Sequence, residues 1–185
     1  MKTIYFIRHF KTKGNIEKRY VGKTDESIIE STIYESEKGK FDFVEHVFSS
    51  PMKRCIETAD IFCPKKEITI IDELRETDFG DFEYKNYEEL KEDKDYIKWL
   101  ESGGNSSFPN GENIEDMKKR CILAYGKILN LMDEKGINTS AVICHGGTIM
   151  AVMEYLKGGF YNWQCENGKG IRLILNDFEI YFERI

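Results

Sequence analysis

An α/β fold with a largely parallel sheet is what this chain predicts, on two observations. Short β-branched and aromatic runs alternate with helical stretches from one end to the other, the pattern that strand–helix–strand crossovers produce. Two of those runs stop at chemically active residues: Thr3 to Ile7 meets Arg8-His9, and Ser140 to Cys144 meets His145-Gly146-Gly147. In open α/β sheets ligands bind beyond the carboxyl ends of the strands, so both histidines are expected at one rim.

Each element has its own signal. Thr3 to Ile7 is a buried strand by composition. Glu45 to Ser49 repeats the pattern before Ser50-Pro51, where proline suits a first helical turn and the serine suits a cap. That predicts a helix over Pro51 to Phe62. Glu67 to Ile71 is a third strand. Tyr87 to Leu100 and Gly111 to Glu134 read as helices, the second because Ile114, Met117, Cys121, Ala124, Ile128 and Leu131 recur at helical spacing. Thr148 to Tyr155 continues as a helix, and Trp163 to Glu166, Arg172 to Asn176 and Glu179 to Phe182 are expected as closing strands.

The 185 residues suit one domain spanning 1–185. Hydrophobic residues at 41% and charged residues at 32% describe a globular chain. No apolar run approaches the length a bilayer requires, and Arg8-His9 interrupts the first one, so neither a membrane span nor a secretory signal is expected. The expected location is the cytoplasm. A net charge of -6 argues against nucleic acid and anionic membranes as partners, so any anion site must be a local basic pocket. The five cysteines show no paired short spacing of the zinc or redox type and read as free, buried thiols. Nothing in the sequence sets the oligomeric state.

Arg8-His9 and His145 at one rim, with Arg54 one turn into a helix after another strand, make an anion site. Arginine stays charged and offers a fork of donors that matches phosphate oxygens. The residues around these four resemble the histidine phosphatase superfamily, which includes cofactor-dependent phosphoglycerate mutases and α-ribazole phosphatase. Arg8-His9-Phe10-Lys11-Thr12-Lys13-Gly14-Asn15 is similar to the family's Arg-His-Gly-x-Thr-x-x-Asn, and Gly22-Lys23-Thr24-Asp25 to its Gly-x-x-Asp loop. Ser49 to Ala59 resembles Ser-Ser-x-x-x-Arg-x-x-x-Thr-Ala, and Leu74 to Glu83 resembles Leu-Arg-Glu-x-x-Phe-Gly-x-Trp-Glu. Pro109-Asn110-Gly111-Glu112 and His145-Gly146-Gly147-Thr148 complete six motifs in order.

The resemblance implies a phosphoglycerate mutase-like fold, a three-layer α/β/α sandwich with a mixed, largely parallel central sheet. It implies that His9 is the nucleophile, that Arg8, Arg54 and His145 bind phosphoryl oxygens, and that Glu76 is the proton donor. Thr12, Asn15, Gly22 and Gly146 follow as substrate contacts, although Thr12 and Asn15 are equally good turn and cap residues. The physical reading agrees: phosphoryl transfer needs an in-line nucleophile, positive charge around the equatorial oxygens and a proton for the leaving alkoxide. Two arginines and a cationic His145 would do the work of a metal, so no metal or cofactor is expected. His46 lies outside every motif and is expected to be structural or exposed.

Four departures bear on the substrate. Phe10 stands where the family has glycine, a change expected to narrow the pocket or redirect the loop. Phe82 replaces a tryptophan, Tyr84 a glycine, and Met150 an arginine that relatives carry. Between Glu76 and His145 there is no Arg-Arg pair, only Arg120, so a phosphomonoester hydrolase acting on a phosphorylated small molecule leads over a mutase or a non-catalytic phosphate binder. The Gly103-Gly104-Asn105-Ser106-Ser107 stretch reads either as a connector or as a lid over the rim.

Overall fold

The computed structural model describes residues 1–176 and 179–185. Its strands are β1 (Lys2–Arg8), β2 (His46–Ser49), β3 (Ile68–Ile70), β4 (Thr139–Cys144), β5 (Gly170–Leu175) and β6 (Ile180–Arg184). Its helices are α1 (Lys13–Ile16), α2 (Lys53–Phe62), α3 (Tyr87–Leu90), α4 (Lys94–Glu101), α5 (Ile114–Glu134) and α6 (Gly146–Lys157). The strands form one sheet in the order β3-β2-β4-β1-β5-β6. The first four in that order run parallel, while β5 is antiparallel to β1 and β6 to β5.

Alternation along the strands splits the core into two layers. Ile4 and Phe6 of β1 and Val142 and Cys144 of β4 pack with Met117, Cys121, Ala124 and Ile128 of α5 and Ile149 and Val152 of α6. Ile7, Val47, Ala141 and Ile143 point the other way, onto Cys55, Ala59 and Phe62 of α2. Helices therefore cover both sheet faces, as the three-layer expectation has it. Fully burying one such large side chain contributes roughly 1.5–3 kcal/mol.

The β1–β4 register positions the site. Phe6 lies opposite Val142, Ile7 opposite Ile143 and Arg8 opposite Cys144, and the His9 amide donates to the Cys144 carbonyl at 3.0 Å. Both chains then leave the sheet at the same height, so His9 and His145 emerge as neighbours.

Three expectations are corrected. The stretch from Tyr87 to Leu100 is two helices, because Asn86 and Glu89 close a capping box on α3 and Asp93 restarts the chain by accepting from the Asp95 and Tyr96 amides. Helix α2 begins at Lys53 after Met52, and Pro51 lies outside it. Trp163 to Glu166 is no strand: a 3-10 turn, Phe160–Trp163, follows Gly158 and Gly159, both at positive φ, and Trp163 Nε1 donates back to the Gly158 carbonyl. The segment Asp25 to Phe41 carries a 3-10 run, Ser31–Glu37, in place of a regular helix.

Candidate active site

His9 is 3% exposed and its Nδ1 lies 2.6 Å from the Phe10 carbonyl oxygen. A carbonyl only accepts, so Nδ1 carries the ring proton and Nε2 keeps a free lone pair. The loop that supplies this carbonyl is anchored from α2: Thr58 Oγ1 accepts from the Phe10 amide at 3.0 Å and donates to the Arg54 carbonyl at 2.6 Å. On the other side, Asn167 Nδ2 donates to the His9 carbonyl at 3.0 Å. The motif's Thr58 was legible as part of a helix signature; Asn167 had no signal in its own neighbourhood.

His145, fully buried, faces His9 with ring centroids 5.2 Å apart. Ser50 Oγ lies 2.8 Å from its Nε2 and also accepts from the Met52 amide at 3.3 Å. The serine expected to cap α2 thus holds the second histidine. Arg54 is fully buried, donating from NH1 to the Thr24 carbonyl and from NH2 to those of Gly22 and Val21. Arg8 donates from NH1 to the Cys165 carbonyl. Neither arginine forms an ion pair among the described residues, and the buried Nε of each is without a hydrogen-bond partner there.

Burial is the main reason that His9 sits well below the ordinary imidazole range, with Arg54 and then Arg8 pushing the same way against the Phe10 carbonyl. His145 is lowered for the same first cause, then by Arg54, His9 and Arg8. Burial next to two guanidiniums thus works against a charge on either imidazole, including the cationic His145 that was expected.

Glu76 is half-buried; its Oε1 accepts from the Thr77 amide at 3.0 Å and from Thr77 Oγ1 at 3.3 Å. A Cβ on Gly147 would lie 2.7 Å from that oxygen, and one on Gly146 would lie 3.5 Å from Arg8 Cζ. The start of α6 therefore passes between the carboxylate and the guanidinium, presenting amides where an anion is favoured. The loop bearing Glu76 is pinned by Arg120, which pairs with Glu112 and donates to the Glu73 and Arg75 carbonyls.

A cavity of about 840 Å³ has Arg8, Glu76, Thr77, Gly146 and Gly147 among its lining residues. His9, Arg54 and His145 are buried and are not among its lining residues. Thr12, Asn15 and Gly22 do not line the cavity. Thr12 Oγ1 accepts from the Asn15 amide and Asn15 Oδ1 from the Thr12 amide in a capping box, and Asn15 Oδ1 also accepts from Asn167 Nδ2. The Gly22 amide goes to Glu83 Oε1 at 2.9 Å, and a Cβ there would stand 2.0 Å from the Thr77 carbonyl oxygen. Gly22 thus joins the Arg54 guanidinium to the loop after Glu76, while Thr12 and Asn15 fix the start of α1. Phe10 does not narrow the cavity either. Its ring lies in the core, stacked on Tyr34 at 3.9 Å and tilted on Phe62 at 4.6 Å. His46 is bonded through Nε2 to Thr69 Oγ1, away from the site. All five cysteines are buried and free.

Two imidazoles held low by burial, the buried Arg54 and the half-buried Arg8 gather near a helix start, with a carboxylate close by, on a mostly parallel sheet. A family model for the histidine phosphatase superfamily (branch 1) matches residues 4–169, and the chain belongs to that superfamily. It is 27% identical over 162 residues to phosphoglycerate mutase-like protein 4 of Arabidopsis thaliana, covering 82% of this chain and 69% of that one. It is 27% identical over 166 residues to the uncharacterized phosphatase PhoE of Bacillus subtilis (strain 168), covering 86% and 79%. Among solved structures it resembles the alpha-ribazole phosphatase from Shigella flexneri, with a TM-score of 0.83 at 20% identity over 99% of this chain and 95% of that one. A phosphoglycerate mutase from Bacillus anthracis str. Sterne superposes with a TM-score of 0.75 at 22% identity, over 100% and 92%.

Proposed function

We propose that the protein is a phosphomonoester hydrolase working through a phosphohistidine on His9, with a phosphorylated small molecule as substrate. The observation that carries this reading is the His9 Nδ1 contact to the Phe10 carbonyl, which leaves Nε2 as an unprotonated nucleophile beside Arg8, Arg54 and His145. His9 Nε2 attacks phosphorus, the bond to the ester oxygen breaks, and Glu76 gives its proton to the departing alkoxide. Water then attacks the phosphohistidine while Glu76 takes its proton, releasing inorganic phosphate and restoring Nε2. The free Nε donors of Arg8 and Arg54 and the amides at the start of α6 are suited to the charge of the transferring group. Once a phosphoryl dianion stands between the rings, His145 gains a reason to take up a proton that it lacks beside the bare guanidiniums.

Hydrolysis is favoured over mutase chemistry by what lines the cavity. Met117 and Met150 line it, and Lys11 is the one further cation among its lining residues beyond Arg8, which leaves little to retain a phosphorylated acid between two transfers.

The test is rapid quenching with a ³²P-labelled monoester. The expected product is a phosphoenzyme labile in acid and stable in base, absent from His9→Ala, with phosphate release that persists in EDTA. Label retained by His9→Ala, or turnover that stops in EDTA and returns with a divalent ion, would defeat the assignment. Multiple turnover that needs a bisphosphorylated primer and releases no phosphate would mark a mutase.

A further inference from the structure

The cavity is far larger than phosphate requires. Its volume of about 840 Å³ falls in the upper part of the range of roughly 300–1,000 Å³ typical of sites for whole organic ligands. The walls come from four separate parts of the chain: Tyr20, Phe79, Trp99 with Phe108, and Phe160 with Tyr161. Ile114, Met117 and Met150 add further apolar surface.

These rings are braced against one another. Trp99 meets Phe108 at 5.3 Å, Phe108 meets Phe79 at 5.1 Å, and Phe79 meets Tyr20 at 5.2 Å between centroids. Behind them Tyr96 stacks on Trp99 at 5.8 Å and bonds Tyr20 through the two hydroxyls at 2.9 Å, and Phe82 packs edge-on at 5.3 Å from Tyr96. Tyr96 and Phe82 are buried and form the core of this outer layer, while Tyr20, Phe79 and Trp99 keep part of their surface open. The 103–104 loop closes onto the same wall: Tyr161 Oη donates to the Gly103 carbonyl, and a Cβ on Gly104 would stand 2.5 Å from that oxygen and 3.3 Å from Trp99 Cζ2. Gly104 has φ +77, a conformation glycine adopts without strain. Of the stretch read as either a connector or a lid, Gly104 lines the cavity.

A rigid wall of ring faces and thioethers binds flat apolar groups well and leaves a carboxylate desolvated without a partner. We propose that the leaving-group half of this site is a subsite for a flat, uncharged aromatic moiety. The preferred substrates are then phosphate esters of alcohols that carry an aromatic ring system, over small phosphorylated acids. This rests on the phosphate end of the cavity being the reactive one, as proposed above. Trp99 and Met150 determine specificity, Trp99 as the central ring of the wall and Met150 by keeping charge out of it.

The test separates ring recognition from chemistry. Binding is measured calorimetrically with three phosphonates that cannot be hydrolysed: 2-(2-naphthyl)ethylphosphonate, ethylphosphonate and 3-phosphonopropanoate. Turnover is measured with 2-(2-naphthyl)ethyl phosphate and ethyl phosphate, whose leaving alcohols are alike in basicity. The naphthyl compound is expected to bind and to react about tenfold or more better than the ethyl compound, the scale of one well-packed aromatic contact. Trp99→Leu should shrink that ratio, and Met150→Arg should shift preference toward 3-phosphonopropanoate. Equal binding of the three phosphonates, or tighter binding of the carboxylate by the unaltered protein, overturns the subsite. A naphthyl preference in binding with no phosphate released from either ester supports the subsite and instead defeats the hydrolase reading. Should Trp99→Leu not fold, the Met150→Arg shift and the phosphonate series decide alone.

Discussion

Glu76 is held on one side only. Its Oε1 takes two hydrogen bonds from Thr77, and Oε2 carries none among the described residues. A carboxylate so oriented can pass a proton through its second oxygen without losing its place. Glu76→Gln keeps the shape and the Thr77 contacts but moves no proton. It should slow turnover by roughly 10²–10⁴-fold, the range of general acid–base catalysis. In single-turnover phosphorylation the loss should be greater for an alkyl phosphate than for nitrophenyl phosphate, whose leaving group needs less protonation. Equal losses for both would assign Glu76 to binding or structure.

Helix α5 braces the loop that bears Glu76 through Arg120. Arg120 is 8% exposed and holds both oxygens of Glu112 while bonding the carbonyls on either side of Leu74. Arg120→Met leaves the largely covered Glu112 carboxylate with only the Asp78 amide among the described residues, and two carbonyls without their donor, a loss of up to about 3–5 kcal/mol, the scale for a broken buried pair. Urea denaturation should show that loss, and the double variant Arg120→Met, Glu112→Gln should recover part of it. Additive losses in the two single variants would show that the pair does not act as a unit.

These elements also show what the sequence makes legible. Strands β1 and β4 and the residues at their ends stood out because a β-branched run stopping at Arg-His or His-Gly-Gly is a local pattern. The break between α3 and α4 was equally local, in the caps Asn86 and Asp93, but the helical spacing on either side outweighed it. Trp163 to Glu166 misled because its aromatic content suits a strand, whereas the neighbouring rings of Phe160 and Tyr161 face the cavity. Ser50, Thr58 and Asn167 act through contacts with residues far along the chain. Their roles became visible only once the β1–β4 register was known. Phe10 is the converse case: its identity raised concern for the pocket, and its direction, toward Tyr34 and Phe62, removed it.

Folding of the whole chain expels protons from two imidazoles. His9 and His145 are both lowered when folded and revert to ordinary values, near 6.5, when unfolded. Their contribution to stability is therefore complete above about pH 6.5 and is lost as pH falls toward the folded values. Each histidine adds a slope of about 1.4 kcal/mol per pH unit once its unfolded form is protonated and its folded form is not. His46 is shifted in the same direction by its partial burial. Urea unfolding of the wild-type protein between pH 7.5 and 5.5 should show this fall, and His9→Ala should remove about one histidine's share of it. An unchanged slope in that variant would place the acid sensitivity elsewhere.

The sheet order has a consequence for how the molecule comes into being. Strand β1 lies between two strands from the last third of the chain, with Thr3 opposite Thr139 on one edge and Lys2 opposite Leu175 on the other. It leaves the ribosome long before either neighbour has been made. Until Leu175 emerges, a growing chain carries β1 with at least one bare edge, the kind of strand that pairs with the wrong partner. Contacts this distant in sequence also slow the search for the native arrangement. The strand that delivers Arg8 and His9 is thus among the first made and among the last secured. A nascent chain therefore gains its reactive pocket only after synthesis has passed the β5 strand, and the early β1 segment is where a chaperone would have the most to protect.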